Sequence, residues 1–574
     1  MPLLSAQAVN SLAATPPRWS SWGQEPARSW MADNLELLAT AHVLFPVAIA
    51  GMATIAFAAS IQLGAWVLLV ALLATAVAVI LVGGNRRESW AILAIVLTLH
   101  CVAGVMAAAV PDGSWDGLTY QQEGVLRIAE GWNPLFEQAV RYGIADPAFN
   151  DHYPKLSWIA GAAVLLATGA IEAGKLFNLT LLIAAGAQVM VTLLRFTSVS
   201  LATTLVIAGL AALSPIAISQ MWTFYVDGAL GSALTIMVAG LAGYVAGGRR
   251  LSLVLALLAS CIAVNLKFTG LAYAVVLVGL AVPVTLFWRG GRAAVQLASA
   301  AAIAATVAVL LLGYAPYVRN LMAYGDPFHG APRADVAGVR PANLNEMNRF
   351  ARFAMSVMSP SSPTRSPESI HLKFPLSVQR SEARALYSAD LEVGGFGPLF
   401  GAVLVLAGVA MLALVITRST RMAGATACVI IGALLASMFV HGETWWARYV
   451  PQAWLLPLIV ASAALAVPAE GTTRLLAYAM IGLLLLNVFI VAANVAWDEL
   501  RYVRANRATL LAMSAVHQPV PVYFSVFPSL RQRLREAGVP FRIINRPFDA
   551  SARRHDLPAP GHQAFWLDEP ASIR

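Results

Sequence analysis

The feature that most constrains this chain is a series of apolar runs of the length that crosses a lipid bilayer. A helix needs about 20 residues to span a hydrocarbon layer about 30 Å thick. Thirteen runs are predicted to do so: 38–59, 62–83, 91–110, 175–194, 199–218, 228–247, 251–266, 270–288, 293–314, 396–416, 423–440, 450–467 and 475–496. Of the 574 residues, 59% are hydrophobic and only 12% are charged, too few to cover a soluble surface of this size. The predicted fold class is an all-α polytopic membrane protein.

Arginines predict the orientation of these helices, because short cytoplasmic loops are enriched in Lys and Arg. The short connections after alternate runs carry such residues: Arg86, Arg87, Arg195, Arg249, Arg250, Arg289, Arg292, Arg418 and Arg421. The opposite connection, 111–155, holds seven acids and three basic residues, as expected of an exported loop. We therefore expect an inner (cytoplasmic) membrane protein with its N-terminus inside. The net charge of +9 is assigned to the loops, and no nucleic-acid partner is expected.

The run 156–171 is short for a crossing, and if it crossed, Arg195, Arg249 and Arg250 would move outside. It is therefore predicted to be a membrane-dipping or interfacial helix on the exported side. Three parts follow: a cytoplasmic N-terminal segment (1–37), a transmembrane domain (38–497) with exported loops 111–174 and 315–395, and an extracytoplasmic C-terminal appendage (498–574). In the appendage, "PVYFSV" and "PFRIIN" indicate strands and "PSLRQRLREAG" an amphipathic helix closed by Gly538. A small α/β unit is expected there.

Unusual polar residues gather on the predicted exported side, where ionisable groups at a bilayer edge indicate function. Asp116 lies in "SWDGLTY", and Gly117 beside it is expected to leave room for a substrate. Glu123, Glu130 and Glu137 recur at intervals of seven and are expected to form a solvated helix face. The other candidate residues are His152, Lys155, Asp227, Lys267, Arg319, Glu443, Arg448 and Tyr449.

Some of these residues also have a purely structural interpretation. Asp227 precedes a helix and would serve as its N-cap. Arg448 and Lys267 would reach from the bilayer edge to water with their charged ends. No His or Cys spacing of a zinc site is present, and no metal ligand is predicted.

Cations beside a membrane surface suit a phosphate attached to a lipid, since Arg and Lys neutralise it and Arg binds it in a fork. A carboxylate at the same place suits removal of a proton from an incoming hydroxyl. Together they indicate glycosyl transfer from a lipid-linked phosphosugar.

The order of motifs resembles the GT-C superfamily of integral membrane glycosyltransferases, near its family 39-like, protein-mannosyltransferase and aminoarabinose-transferase branch. The likeness covers roughly residues 85–465. The segments that carry it are "WDGLTY", "HYPKLSW", "LSPIAISQMWTFYVDGAL", "NLKFTGL", "YVRNLMAYGDPFHG", "ADLEVGGFGPLF" and "ARYVPQAWLLP". Two positions depart from the pattern: Gln121 stands where many relatives have His, and Tyr153 where Pro is commoner.

This resemblance implies an inverting transferase of the cell envelope that uses a polyprenyl-phosphate sugar on the exported face. It implies Asp116 as the catalytic base and Asp227 as a residue that orients the acceptor or donor. Lys155, Lys267 and Arg448 would bind the phosphate, and a lipid, glycan or protein would be the acceptor. It leaves open whether a divalent cation, Mg²⁺ or Mn²⁺, takes part.

Two other classes stay open on the sequence. A transporter or flippase of lipid-linked sugars would carry polar residues near the bilayer midplane and an internal repeat, and no clear repeat is present. A lipid-linked glycan ligase or polymerase would use a long exported loop with Arg and His, which 315–395 resembles.

Overall fold

The protein is described by a computed structural model that covers residues 26–139, 147–330, 339–362, 368–467, 471–516, 518–544 and 554–567. These residues are mostly helical, with one small sheet near the C-terminus. The expected N-terminal segment 1–37 is described only from Pro26, where the first helix begins. Parts of the expected loop 315–395, residues 331–338 and 363–367, lie outside the described residues.

Within the part of the chain that the structure describes, eight helices are long and apolar enough to cross a membrane. They are Pro26–Ala58, Arg86–Ala109, Ile171–Phe196, Asp227–Gly247, Phe268–Arg289, Gly291–Leu312, Arg421–Met438 and Gly471–Ser514. At 1.5 Å rise per residue, a helix of this length reaches about 27 Å or more. The prediction of a polytopic, mostly helical membrane protein is confirmed at this level.

Six apolar helices are shorter: Trp66–Val82, Leu156–Thr168, Leu201–Ala212, Arg250–Leu266, Phe400–Ile416 and Pro451–Ala466. Every predicted run coincides with a long or a short helix, whereas the count of thirteen crossings stays a prediction. The run 199–218 is split, because Ser214 caps a separate helix, Pro215–Gln220, that begins with proline. The proposed dipping helix is Leu156–Thr168, and it ends at Gly169 with a positive φ of 73° that glycine readily adopts.

The remaining helices are short and connect the apolar ones. They are Gln122–Ala129, Pro147–His152, Arg319–Tyr324, Arg349–Val357 and Arg380–Ala383. Single turns of tighter or wider helix occur at Gly117–Gln121, Tyr314–Val318, Ala342–Leu344 and Ala447–Tyr449.

Small residues allow the central helices to approach closely. A Cβ on Gly240 would lie 2.6 Å from the Ser252 carbonyl oxygen and 3.0 Å from the Ala256 Cβ, so only glycine fits between helices Asp227–Gly247 and Arg250–Leu266. Such contacts are typical of helix pairs within a membrane.

Charged residues occupy both ends of this helix pair. At one end, Arg195 and Arg249 each donate to Asp33 Oδ1 at 2.7 Å, and Arg195 also donates to the buried Glu36 at 2.7 Å. Asp227 lies at the other end of the 21-residue helix, about 31 Å away. We call these the Arg249 end and the Asp227 end of the bundle.

The C-terminal part begins with a 44-residue helix, Gly471–Ser514, which continues past residue 497, where the appendage was expected to begin. A four-stranded sheet follows, with β1 Val520–Tyr523, β2 Phe541–Ile543, β3 Arg554–Asp556 and β4 Phe565–Leu567 in the order β2-β1-β4-β3. β1 pairs parallel with β2 (Val520 opposite Phe541), and β4 pairs antiparallel with both β1 and β3. The helix Leu530–Glu536 connects β1 and β2. The predicted α/β character is confirmed, whereas β3 and β4 were not predicted from the sequence.

This small α/β unit packs directly on the segment that carries Asp116. Leu118 and Trp115 join a hydrophobic cluster with Phe527 and Val522 of the unit, and Ser529 Oγ donates to the Leu118 carbonyl at 2.7 Å. No local sequence pattern predicts this contact, because some 400 residues separate its two sides.

The prediction that Glu123, Glu130 and Glu137 share a solvated helix face is wrong. The helix is only Gln122–Ala129, so Glu137 lies outside it. Glu123 is fully buried, and Arg531 of the α/β unit donates to its two oxygens at 2.7 and 3.1 Å. Arg531 of the α/β unit supplies a positive charge that offsets the energetic cost of burying the Glu123 carboxylate.

Replacing Arg531 with alanine is therefore expected to weaken docking of the α/β unit by about 3 kcal/mol, the lower end for breaking a buried ion pair. The lower end applies because Arg127 still contacts Glu123 at 2.8 Å. Hydrogen exchange across residues 520–536 measures the free energy of opening. Arg535→Ala is the matched control, because that side chain is 54% exposed on the same helix. Equal protection in the two variants would contradict the ion pair's role.

Candidate functional site

The segment before Asp116 is held by the buried carboxylate of Asp112. This carboxylate accepts hydrogen bonds from the backbone N–H groups of Ser114 and Phe224, both at 2.8 Å. A Cβ on Gly117 would collide with the same carboxylate. The expectation that Gly117 leaves room for a substrate is therefore wrong, since Asp112 fills that space. The missing side chain of Gly117 instead lets the Asp112 carboxylate approach the backbone next to Asp116.

Asp116 is the residue predicted to be the catalytic base. Its side chain is 14% exposed. Oδ2 accepts hydrogen bonds from Arg448 Nη1 at 3.0 Å and from the Tyr120 hydroxyl at 3.2 Å. Arg448 is 332 residues away in the chain. A carboxylate with two fixed donors has a defined orientation.

Arg448 contacts three carboxylates. Besides Asp116, its Nη1 lies 3.7 Å from Asp227 Oδ2 and its Nε lies 3.2 Å from Asp390 Oδ1. Its guanidinium carbon lies 4.6 Å from the ring centre of Trp446. Because the side chain is only 10% exposed and is paired on several sides, the interpretation of Arg448 as an interfacial snorkelling residue is wrong.

Asp227 and Lys267 form a second pair beside the first. Lys267 Nζ donates to Asp227 Oδ1 at 2.5 Å and lies 4.0 Å from the centre of the Tyr449 ring. The N-cap position is Val226, and Asp227 is the first residue of the helix with its carboxylate paired to Lys267, so the N-cap interpretation of Asp227 is wrong. Lys267 is buried, which contradicts snorkelling there as well. Asp116, Asp227, Lys267, Asp390 and Arg448 are hereafter called the ion-pair cluster.

Asp390 was missed as a site residue. It lies within "ADLEVGGFGPLF", one of the segments that carry the resemblance, but on a loop with no helical or strand pattern. Its contact with Arg448 identifies it as a residue of the candidate site.

The pKa values of three members of the ion-pair cluster are shifted. Burial lowers the pKa of Lys267, and the Asp227 carboxylate opposes this shift. Burial raises the pKa of Asp116, and the charge of Asp390 adds to this, while Arg448 opposes it. Burial acts to lower the pKa of Arg448, but the carboxylates of Asp390 and Asp116 outweigh it and hold that pKa well above its usual value. Arg448 therefore stays charged, while Asp116 is a stronger base than an ordinary aspartate.

This shift predicts the pH dependence of any reaction in which Asp116 accepts a proton. Asp116 is protonated, and can no longer act as a base, as the pH falls through its raised pKa. As the pH is lowered, kcat/KM should therefore begin to decline at a pH above about 4, the ordinary pKa of aspartate. The measurement is kcat/KM against pH in buffers of constant ionic strength. An acid limb at or below the ordinary aspartate value would contradict the geometry.

Three further predicted site residues form a separate group. Arg319 Nη1 donates to the carbonyls of Pro134 and Glu137, both at 2.8 Å. His152 Nδ1 lies 2.8 Å from Asn320 Oδ1. Lys155 Nζ donates to the carbonyls of Asp151 and Tyr153, at 3.0 and 2.8 Å.

Lys155 has an unusual environment for a phosphate ligand. Burial lowers the pKa of its ammonium to about 7, with the Asp151 carboxylate opposing the shift. Its charge is therefore lost as the pH rises through neutrality. The rings of Trp132 and Trp158 flank it at 5.8 and 5.5 Å.

Glu443 is engaged with cations outside the ion-pair cluster. Arg340 binds it with two nitrogens, Nε at 3.0 Å, and Trp445 Nε1 donates to it at 2.7 Å. Tyr449 belongs with the cluster, because its ring lies between Lys267 and His441, with the His441 ring stacked at 4.8 Å. Burial lowers the pKa of His441 to about 4, so this imidazole is neutral at pH 7.

A divalent cation does not fit the ion-pair cluster. Among the described residues, no three His, Cys, Asp or Glu side chains are grouped as a metal site. The carboxylates of Asp116, Asp227 and Asp390 face the Arg448 guanidinium, which lies where a cation bridging them would bind. No step proposed below passes through a metal.

An apolar cavity of about 670 Å³ lies within the helix bundle. Its lining extends from Thr235 and Leu455 to Phe196, Val245 and Trp288 near the Arg249 end of the bundle. Thr235 is eight residues after Asp227 on one helix, so this part of the cavity begins about 12 Å from the cluster along the helix axis.

No protein-family model matches this sequence, and no curated protein is significantly similar to it. The resemblance to the GT-C superfamily therefore depends on the motifs alone.

Proposed function

We propose that the chain is a GT-C-type glycosyltransferase that moves a sugar from a polyprenyl-phosphate donor to an acceptor hydroxyl. The observation that supports this most is the partly exposed Asp116 carboxylate, oriented by Arg448 in a cluster of ion pairs at one end of an apolar helix bundle. An apolar bundle favours a lipid substrate, and ion pairs at its edge favour a charged headgroup.

We infer further that thirteen helices cross the inner membrane: the eight long ones and five of the six shorter ones, with Leu156–Thr168 left at the surface. In this topology the Arg249 end is cytoplasmic by the positive-inside rule, and the ion-pair cluster faces the exported side. The 21 residues between Asp227 and Gly247 support this arrangement, because they separate the two charged ends by about the thickness of the bilayer.

In the proposed reaction Asp116 is the general base. The acceptor hydroxyl transfers its proton to Asp116, and its oxygen forms a bond to the anomeric carbon. The bond from that carbon to the phosphate oxygen breaks, and the electron pair leaves with polyprenyl phosphate. Attack from the side opposite the leaving group inverts the configuration. A base whose pKa is raised toward the working pH is the more effective catalyst.

Lys267 and Arg448 are proposed to bind the donor phosphate, with Tyr449 and Asp227 beside them. The cluster holds one more carboxylate than cations, so a phosphate must take over contacts from a carboxylate. We expect Asp390 to release Arg448, because a loop carries Asp390 whereas Asp227 begins a helix. The predicted site residues outside the ion-pair cluster would contact the sugar or the acceptor. They are His152, Lys155, Arg319 and Glu443.

The apolar cavity suits part of the donor lipid. Its volume is within the ~300–1,000 Å³ of pockets that enclose small-molecule ligands. A prenyl chain that left the phosphate at Lys267 would reach Thr235 within about two helical turns.

The test is a transfer assay with the full chain in liposomes that contain polyprenyl-phosphate sugars labelled in the sugar. Transfer releases polyprenyl phosphate and moves the label to an acceptor in added envelope extract. A flippase would move the intact donor between leaflets without breaking it, and a ligase or polymerase would need a lipid-linked oligosaccharide. Absence of polyprenyl phosphate release with every monosaccharide donor tested, alongside either alternative activity, would overturn the proposal.

A further inference from the structure

The segment 371–380 turns its apolar side chains outward. Leu372, Phe374, Leu376 and Val378 are 62, 71, 52 and 44% exposed, and the residues between them are less exposed. In a soluble protein, a segment with alternating apolar and polar residues normally buries its apolar side chains and exposes its polar ones.

The charged residue within this strip is turned inward. Lys373 Nζ lies 2.5 Å from Glu382 Oε1, and both side chains are almost fully buried. Glu382 also accepts a hydrogen bond from the backbone N–H of Ser361 at 2.9 Å. Burying a charge while exposing phenylalanine and leucine is favourable where the medium outside is itself apolar.

Contacts of the strip and of the residues after it place it beside the start of one apolar helix and the middle of another. The Lys373 backbone N–H donates to the Met358 carbonyl at 2.8 Å. Met358 contacts Gly401, in the first turn of helix Phe400–Ile416. A little further along, Leu386 packs with Val491 and Val495 of helix Gly471–Ser514.

The same level of the bundle exposes further large apolar residues. On helix Gly471–Ser514, Phe489 is 70% and Trp497 is 65% exposed, and these positions flank Val491 and Val495. Tryptophan is enriched at the boundary between lipid and water. The strip therefore lies near a helix that exposes large apolar residues on its outer face.

We propose that Leu372, Phe374, Leu376 and Val378 form a membrane anchor that inserts into the leaflet on the side of the ion-pair cluster. The exposed Arg380 follows directly and fits the phosphate headgroups of that leaflet. The anchored segment leads to Asp390, which contacts Arg448, so it ties one wall of the site to the lipid surface. This inference requires a membrane protein but no particular reaction.

The test uses the full chain in lipid nanodiscs, with Cys101, Cys261 and Cys428 replaced and one cysteine introduced for a fluorescent label. Phe374→Cys and Leu376→Cys report on the strip. Glu346→Cys is the matched control, because this exposed residue precedes helix Arg349–Val357. Quenching is compared between aqueous iodide and phospholipids that carry a nitroxide near the headgroup.

A label at Phe374 or Leu376 should be quenched several-fold more by the lipid nitroxide than by iodide, and a label at Glu346 should show the reverse. Iodide quenching at Phe374 equal to that at Glu346 would overturn the anchor. Protection from both quenchers would also overturn it, since the strip would then be covered by protein, either a partner or a second copy of this chain.

Discussion

Asp116→Asn is expected to lower the rate of sugar transfer by about 10²–10⁴-fold, the usual contribution of a general base. Asparagine keeps the shape of the side chain and still accepts a hydrogen bond from Arg448 or Tyr120, but it takes no proton. Donor binding should therefore survive while turnover is lost. Single-turnover transfer and equilibrium binding of the donor, measured on the same preparation, separate the two effects.

The control for this substitution is Glu346→Gln, which makes the same chemical change at an exposed position and should retain full transfer. Transfer by Asp116→Asn at close to the parental rate would show that Asp116 is not the base. Asp227 would then be the next residue to replace, although its tight pairing with Lys267 makes it less available to an acceptor.

Arg448→Gln is expected to have two large effects. The donor affinity should fall about tenfold or more, because a charge-assisted hydrogen bond contributes about 1.5–3 kcal/mol. The free energy of unfolding should fall by about 3–5 kcal/mol, because removing one partner leaves buried carboxylates uncompensated. The acid limb of the pH profile should also move to higher pH, since Arg448 opposes the rise in the pKa of Asp116.

Donor titration, denaturant unfolding and kcat/KM against pH measure these effects in one variant. Arg418→Gln is the matched control, because Arg418 is exposed outside the cluster and its loss should change stability by no more than about 0.5 kcal/mol. Unchanged donor affinity in Arg448→Gln would exclude Arg448 as a phosphate ligand. An unmoved acid limb would exclude its influence on Asp116.

The sequence predicted the helices well because their signal is local. Each apolar run has the composition of a helix in a membrane, and its ends are marked by Arg, Gly or Pro within a few residues. The strands Val520–Tyr523 and Phe541–Ile543 were located for the same reason. By contrast, the burial of Glu123 depends on Arg531, and no local pattern connects two residues 408 positions apart.

The candidate site was predicted in part for a similar reason. Membrane depth placed Asp116, Asp227, Lys267 and Arg448 at one end of the bundle, and the structure brings their side chains into contact. The depth of a residue in the membrane does not show which helices lie next to each other in the bundle. Arg319 and Glu443 were therefore grouped with the cluster, although the structure gives them other partners.

A cryo-electron microscopy map of the full chain with a non-cleavable polyprenyl-phosphate sugar analogue tests the central claim most directly. The account predicts the donor phosphate within hydrogen-bonding distance of Arg448 and Lys267, about 2.7–3.2 Å, with the anomeric carbon facing Asp116. The prenyl chain should enter the cavity lined by Thr235 and Leu455. A headgroup bound elsewhere, with Arg448 still enclosed by its three carboxylates, would contradict the account.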